Sequence, residues 1–102
     1  MHIEFTRTGG FAGMRLTTTV DTRQLPAEQA SILDKLISDA GFFGLPEKLL
    51  PDSPAPDRFE YQLTVETEQD THSVVVSEKA APDSLRPLLS YLTTMAMVSR
   101  KR

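Results

Sequence analysis

Few side chains in this sequence have the types and spacing that catalysis or metal binding requires. The chain has two histidines and no cysteine, which excludes thiolate zinc sites, iron–sulfur clusters, cysteine nucleophiles and disulfides. His2 and His72 lie far apart, and neither belongs to a zinc-binding spacing such as HExxH. The serines and threonines lack the GxSxG context of an activated nucleophile. The sequence therefore predicts no metal site of its own, no cofactor and no catalytic residue.

An acidic cluster offers the one arrangement that general acid–base chemistry could use. Glu66, Glu68 and Asp70 fall together in a predicted turn, and paired carboxylates can act as acid and base. No partner base is positioned beside them, and acidic turn residues are ordinarily solvated. A small enzyme built on this cluster is thus the last of the functions considered, and we expect the chain not to be an enzyme.

Two other segments have the composition of binding loops. Residues 9–13 hold three glycines around Phe11 and precede a predicted strand rather than a helix, so they do not fit a phosphate-binding loop. Phe11 either folds back on the core or is exposed as an aromatic anchor. The proline-rich residues 51–57 either use Asp52 and Asp57 in turns or form a stiff loop that presents a carboxylate at low entropic cost.

Alternation of polar and apolar residues predicts the strands that hold these loops. Residues 2–7 and 14–20 alternate on both sides of the glycine-rich segment, which predicts a β-hairpin with that segment at its tip. Residues 59–66 give the clearest alternation in the chain, and residues 73–77 follow after a polar turn. They predict a second hairpin.

Helical periodicity occurs twice. Apolar residues recur at helical spacing over residues 26–40, and Gly41 suits the left-handed position after a helix. A second helix is predicted to open at Pro82, and its apolar stripe includes Leu89. Residues 42–46 are expected to fold back and cap the core.

Composition places these elements in one small domain. Of the 102 residues, 39% are hydrophobic and 25% are charged, with a net charge of −3, so the chain as a whole has no attraction to nucleic acid or to an anionic membrane surface. No apolar run reaches the length of a membrane helix. We expect a single α+β domain, residues 1–102, with a four-stranded antiparallel sheet and two helices on one face in the order ββαββα. We also expect a cytoplasmic protein that is a monomer when free.

Several segments together resemble the emfourin-like proteins, small bacterial inhibitors of thermolysin-family and above all protealysin-like metalloproteases. Residues 7–14 read RTGGFAGM, similar to the R-[ST]-GGFAG start of that family. The similarity continues through Leu25-Pro26, residues 39–46, residues 57–61 and residues 85–89. It covers nearly the whole chain, and the GGFAG, FF-x-LP and D-x-F-x-Y segments are fairly specific in combination.

The resemblance implies a non-catalytic inhibitor that blocks a zinc metalloprotease through two neighbouring loops. One loop would direct an aspartate at the enzyme's catalytic zinc, and the other would place hydrophobic residues in the substrate subsites. We assign the hydrophobic loop to Gly9, Gly10, Phe11, Ala12, Gly13 and Met14.

The aspartate has three candidates. Asp57 lies in the D-x-F-x-Y segment, Asp52 lies in the same loop, and Asp21 follows the second predicted strand. If the first and third predicted strands pair antiparallel, the loop before Phe59 lies beside the hairpin tip. That arrangement favours Asp57 or Asp52 over Asp21. The alternative function is a non-inhibitory binding module that grips another partner through Phe11.

Overall fold

The computed structural model describes residues 1–9, 15–50 and 59–100. These residues form five strands and two α-helices: β1 (His2–Gly9), β2 (Leu16–Asp21), α1 (Ala27–Ala40), β3 (Lys48–Leu49), β4 (Phe59–Glu66), β5 (Thr71–Ser77) and α2 (Arg86–Arg100). The fold class is α+β, as the sequence predicts. No helix in the described part of the chain has both the length and the apolar character needed to span a membrane.

The five strands form one sheet in the order β2-β1-β4-β5-β3. Strand β1 is antiparallel to both β2 and β4, and β4 is antiparallel to β5. Both predicted hairpins are therefore present. The antiparallel pairing of β1 with β4, on which the choice among the aspartates depends, is confirmed by a continuous register from His2 opposite Glu66 to Gly9 opposite Phe59.

The predicted four-stranded antiparallel sheet and the order ββαββα are wrong in detail, because a fifth strand makes the sheet mixed and the order of the described elements ββαβββα. Lys48 and Leu49 run parallel to β5 and pair with Val75 and Val76. The backbone N–H of Val75 donates to the carbonyl of Glu47 at 2.8 Å, which satisfies a donor on what would otherwise be an exposed edge. A strand of two residues shows no alternation, so the sequence pattern could not reveal it.

One face of the sheet carries the core. Ile3 and Phe5 of β1 face Val65 and Leu63 of β4, and all four are buried. Both helices contribute to the same buried cluster, so they pack on this face, as predicted. The other face is exposed and polar, with hydroxyl contacts between Thr6 and Thr17 at 3.1 Å and between Thr64 and Ser73 at 2.8 Å. The sheet is thus covered by helices on one side only.

Helix α1 matches its prediction closely. Leu33, Ile37 and Ala40 are buried at helical spacing, and they form the apolar stripe that the sequence indicates. Gly41 adopts φ 59° and ψ 40°, and its N–H bonds to the carbonyls of Ile37 and Ser38. This left-handed conformation ends the helix and favours glycine over residues with a β-carbon.

Helix α2 begins four residues later than predicted. It starts at Arg86 rather than Pro82, and the intervening residues form a turn in which Leu85 N–H bonds to Pro82 O at 3.0 Å. The reason is Pro87, which lacks an N–H and whose ring would clash with the carbonyl four residues earlier in a longer helix. Starting at Arg86 puts Pro87 in the first turn, where backbone donors have no intrahelical partner.

The segment after α1 returns to the core as predicted. Phe42 is buried, whereas Phe43 is partly exposed. The ring of His72 lies edge-on to Phe42, with centroids 5.5 Å apart, and its Nε2 donates to the carbonyl of Leu45 at 2.7 Å. Since a carbonyl only accepts hydrogen bonds, Nε2 carries the proton. His72 therefore holds the segment that leads to β3.

Candidate binding end of the sheet

The end of the sheet at which β1 stops and β4 starts brings together the residues that flank both predicted loops. Gly9, which precedes residues 10–14, lies directly opposite Phe59, which follows residues 51–58. Opposite residues in an antiparallel pair have Cα atoms about 4.5–5.5 Å apart. The two loop segments thus join the sheet at neighbouring positions on its central strands. We call this the binding end of the sheet.

The other two flanking positions lie at the same end. On β2, Leu16 pairs with Arg7, two residues before the end of β1. On β3, Leu49 pairs with Val76 of β5 in parallel, and the next residue of β5, Ser77, lies opposite Glu60 of β4. Leu50, which follows Leu49, therefore continues toward the end of the sheet at which β4 starts. The described residues that flank each segment therefore lie at the binding end. Strand β3 lies two strands from β4, or about 10 Å.

Gly9 has a backbone conformation that favours glycine. Its φ is 103°, a region that residues with a β-carbon rarely adopt. One of the three glycines in the predicted hydrophobic loop therefore has a structural reason for being glycine. The remaining residues assigned to that loop lie outside the described residues: Gly10, Phe11, Ala12, Gly13 and Met14.

Phe59, the first residue of β4, is held by two charged side chains. The Cζ atom of Arg7 lies 4.1 Å from the centroid of the Phe59 ring, within the range of a cation–π interaction. The backbone N–H of Phe59 donates to Oε2 of Glu78 at 3.4 Å. Neither Arg7 nor Glu78 is among the candidate binding residues that the sequence indicates. Arg7 lies in the RTGGFAGM segment, but nothing in the sequence pattern brings Glu78 to Phe59.

The segment that carries Glu78 is itself tied to the start of α2. Nη2 of Arg86 donates to the backbone carbonyl of Glu78 at 3.2 Å, and Nε of Arg86 lies 3.5 Å from Oδ1 of Asp83. Burial, together with the nearby negative charge of Glu78, raises the pKa of Tyr61, so its hydroxyl stays protonated at neutral pH. The binding end thus has ordered polar groups on its core-facing side.

Asp21 lies at the opposite end of the sheet. It pairs with His2, seven residue steps or about 23 Å along β1 from Gly9. Both of its carboxylate oxygens are engaged by Arg23, with Nε to Oδ1 at 3.1 Å and Nη2 to Oδ2 at 3.0 Å. The hydrogen bonds from Arg23 lower the pKa of Asp21 to about 2. Asp21 therefore stabilises the turn after β2 and lies far from the residues that flank the predicted loops.

The acidic cluster also lies at that opposite end, in the turn between β4 and β5. The hydroxyl of Thr67 accepts hydrogen bonds from the backbone N–H groups of Gln69 and Asp70, and Oδ1 of Asp70 accepts from Thr71 N–H at 3.1 Å. These contacts close the turn. Asp70 therefore has a structural role in the turn, as is common for acidic residues in turns.

Two of the aspartate candidates, Asp52 and Asp57, lie outside the described residues. Within the described ranges, no three His, Cys, Asp or Glu side chains lie close enough together to hold a metal ion. What the structure supplies is the position of the residues on both sides of the two predicted loops.

Comparisons with known proteins identify a family. The model of the Emfourin family matches residues 5–93. Among solved structures, the chain is similar to emfourin (M4in) from Serratia proteamaculans, described as an M4 family peptidase inhibitor, with 24% identity and a TM-score of 0.46. That alignment covers 86% of this chain and 84% of the other. No curated protein matches the sequence.

Proposed function

The chain belongs to the Emfourin family, and we propose that it is a protein inhibitor of thermolysin-family, protealysin-like zinc metalloproteases. In this proposal Asp57, or else Asp52, is directed at the enzyme's catalytic zinc. Residues 9–14 form the hydrophobic loop that enters the substrate subsites, with Phe11 as its main side chain. Membership of this family agrees with the prediction that the chain is not an enzyme.

The observation that carries the proposal is the pairing of Gly9 with Phe59. An inhibitor that uses two loops on one active site needs them side by side, and this pairing joins both loop segments to the sheet at adjacent positions. Asp57 is separated from Phe59 by a single residue, which supports its assignment to this task. Asp21 is less suited to the same task, because it lies about 23 Å away from Gly9 along β1 and is bound to Arg23.

The chemistry of a zinc protease explains why one carboxylate suffices. A catalytic zinc has three protein ligands and an open position that holds the attacking water. A carboxylate oxygen is an ordinary zinc ligand at that position. An aspartate presented there displaces the water and is not itself cleaved, while an apolar side chain such as that of Phe11 fills the subsite beside the scissile bond.

The direct experiment is an activity titration of a protealysin-like enzyme with this protein. The proposal predicts a linear loss of peptidase activity that ends at one inhibitor per enzyme. A serine protease titrated in the same way serves as the control and should keep its activity. A titration that leaves the metalloprotease fully active at a large excess of this protein contradicts the proposal.

The same titration separates the alternative function. A non-inhibitory module that grips a partner through Phe11 would bind without reducing peptidase activity. The monomeric state of the free protein and its cytoplasmic location stay predictions. Sedimentation analysis and fractionation of producing cells test them, and finding the protein mainly in culture supernatant without lysis would contradict the second.

A further inference from the structure

Three side chains from separate parts of the chain meet at the binding end. We define the Phe59 anchor as Arg7 of β1, Phe59 of β4 and Glu78 of the turn after β5. Arg7 lies over the ring of Phe59, and Glu78 accepts the hydrogen bond from its backbone N–H. The hydrogen bond from Arg86 to the Glu78 carbonyl fixes the backbone that carries the carboxylate.

The anchor holds both the side chain and the main chain of the same residue. A cation above the ring restricts how Phe59 can rotate, and an ionised acceptor on its N–H makes a stronger hydrogen bond than a neutral acceptor of the same geometry. The pairing with Gly9 supplies a third constraint. Phe59 is therefore fixed in direction at the point where β4 begins.

We propose that Arg7 and Glu78 are positioning residues for inhibition, acting through Phe59. This inference rests on the proposed function. An interface residue that is already held in its bound geometry does not lose conformational entropy during association. The affinity is higher because this entropic cost is absent. The anchor would thus set the direction in which the chain before Phe59 leaves the sheet, next to the end of β1, without contacting the enzyme's zinc.

Glu78 gives the cleaner test because it contributes no buried apolar side chain. We expect Glu78→Ala to raise the inhibition constant about tenfold to 150-fold, the range that corresponds to loss of one charge-assisted hydrogen bond. Glu78→Gln keeps an acceptor oxygen and should recover most of the loss. Glu60→Ala removes a similarly half-buried carboxylate at the same end of the sheet and should leave inhibition unchanged.

Arg7 tests the other half of the anchor. Arg7→Met keeps a long apolar side chain over Phe59 and removes the cation, and we expect a loss of inhibition similar to that of Glu78→Ala. Arg7→Lys restores the charge and should recover part of it. Thermal unfolding gives the folded fraction of each variant at the assay temperature. An inhibition constant calculated from the concentration of folded protein alone then separates a positioning role from simple destabilisation.

Amide hydrogen exchange in the free protein gives a readout that needs no protease. Exchange at the Phe59 N–H should accelerate in Glu78→Ala and return toward the parent value in Glu78→Gln.

In the inhibition assay, combining Glu78→Ala with the aspartate variant that weakens inhibition should give less than the product of the two separate effects, because both act through the chain before Phe59.

The outcomes distinguish this inference from the function on which it rests. If the parent protein inhibits and the Arg7 and Glu78 variants inhibit equally well, the positioning role is wrong while the proposed function stands. If the variants lose inhibition only in proportion to unfolded protein, the anchor is merely structural and the inference is also overturned. If the parent inhibits no thermolysin-family enzyme, both fail.

Discussion

At the scale of single residues, Asp21 shows how local contacts separate a structural carboxylate from a candidate ligand. Its oxygens accept three hydrogen bonds from Arg23, one of them from the Arg23 backbone N–H at 3.0 Å. A carboxylate engaged in this way would have to break its ion pair before it could bind an external metal. The residue types alone could not distinguish Asp21 from Asp52 and Asp57.

The lowered pKa of Asp21 leads to a pH-dependent effect on stability. Since the pKa of Asp21 is lowered to about 2 from its ordinary value of 3.8, its ionised form stabilises the fold above pH 3.8, and this contribution is lost as the pH falls through about 2. Asp21→Asn keeps an oxygen that can cap the turn and removes only the charge. The variant should unfold at a lower temperature than the parent at pH 7.

The difference in midpoint between the parent and Asp21→Asn should narrow between pH 4 and pH 2 and vanish near pH 2. Inhibition at neutral pH should be unaffected, because Asp21 lies at the end opposite the binding end. A constant difference across the whole range, or a large loss of inhibition, would contradict the structural role of this residue.

Phe11 is predicted to provide binding energy and little folding energy. Phe11→Ala should weaken inhibition by about 2–4 kcal/mol, the usual size of an aromatic hot spot, and leave the thermal midpoint within a few degrees. Phe43→Ala is the matched control, because Phe43 is a partly exposed phenylalanine beside the turn between β4 and β5. A large fall in the midpoint of Phe11→Ala with unchanged inhibition would show that Phe11 belongs to the core.

At the scale of elements, hydrophobic periodicity was sufficient to predict β4, α1 and the buried face of α2. The stripe of α2 is buried at Leu88, Leu89, Leu92 and Ala96, as its spacing indicates, and Leu85 in the turn before the helix is buried with them. Periodicity could not reveal β3, which is too short to show a period. It also predicts the start of α2 too early, because the spacing of apolar residues contains no information about the missing N–H of Pro87.

Helix α2 provides a test of this division between buried and exposed positions. Leu92 is fully buried, whereas Val98 on the same helix is 56% exposed. Leu92→Ala should lower the free energy of unfolding by about 2–5 kcal/mol, and Val98→Ala should change it little. Denaturant unfolding measures both. The protein that remains folded in Leu92→Ala should inhibit normally, and a well-folded variant without inhibition would make α2 part of the interface.

The candidate site was predictable only in part. The sequence indicates both loop segments and the strand pairing that joins Gly9 to Phe59, because each rests on local composition or alternation. The contact between Phe59 and Glu78 was not predictable. It joins residues 19 positions apart through a carboxylate and a backbone N–H, and neither leaves a periodic signal.

At the scale of the whole molecule, the end of the sheet that we propose for binding lies apart from the polar contacts at its other end. The core occupies one face of the sheet, and the residues flanking both loop segments lie at one end of it. Asp21, the acidic turn and Phe43 belong to the other end. Changes at the two ends should therefore affect inhibition and stability independently.

We propose that Asp57, or else Asp52, coordinates the zinc of the target enzyme. The most direct measurement is the dissociation constant for the zinc-loaded and the zinc-free protease, determined for the parent, Asp57→Asn and Asp52→Asn. Replacement by Asn keeps the shape and removes the charge, and loss of a charged group from a desolvated contact is costly. Glu68→Gln, in the turn at the opposite end, is the control and should behave as the parent does.

We predict that the parent binds the zinc-loaded enzyme far more tightly than the zinc-free enzyme. Asp57→Asn, or failing that Asp52→Asn, should bind both forms with nearly the same weak affinity, with its circular dichroism unchanged. If the parent and both variants bind both forms of the enzyme equally well, zinc coordination from these positions is wrong, and steric blocking by residues 9–14 becomes the better account.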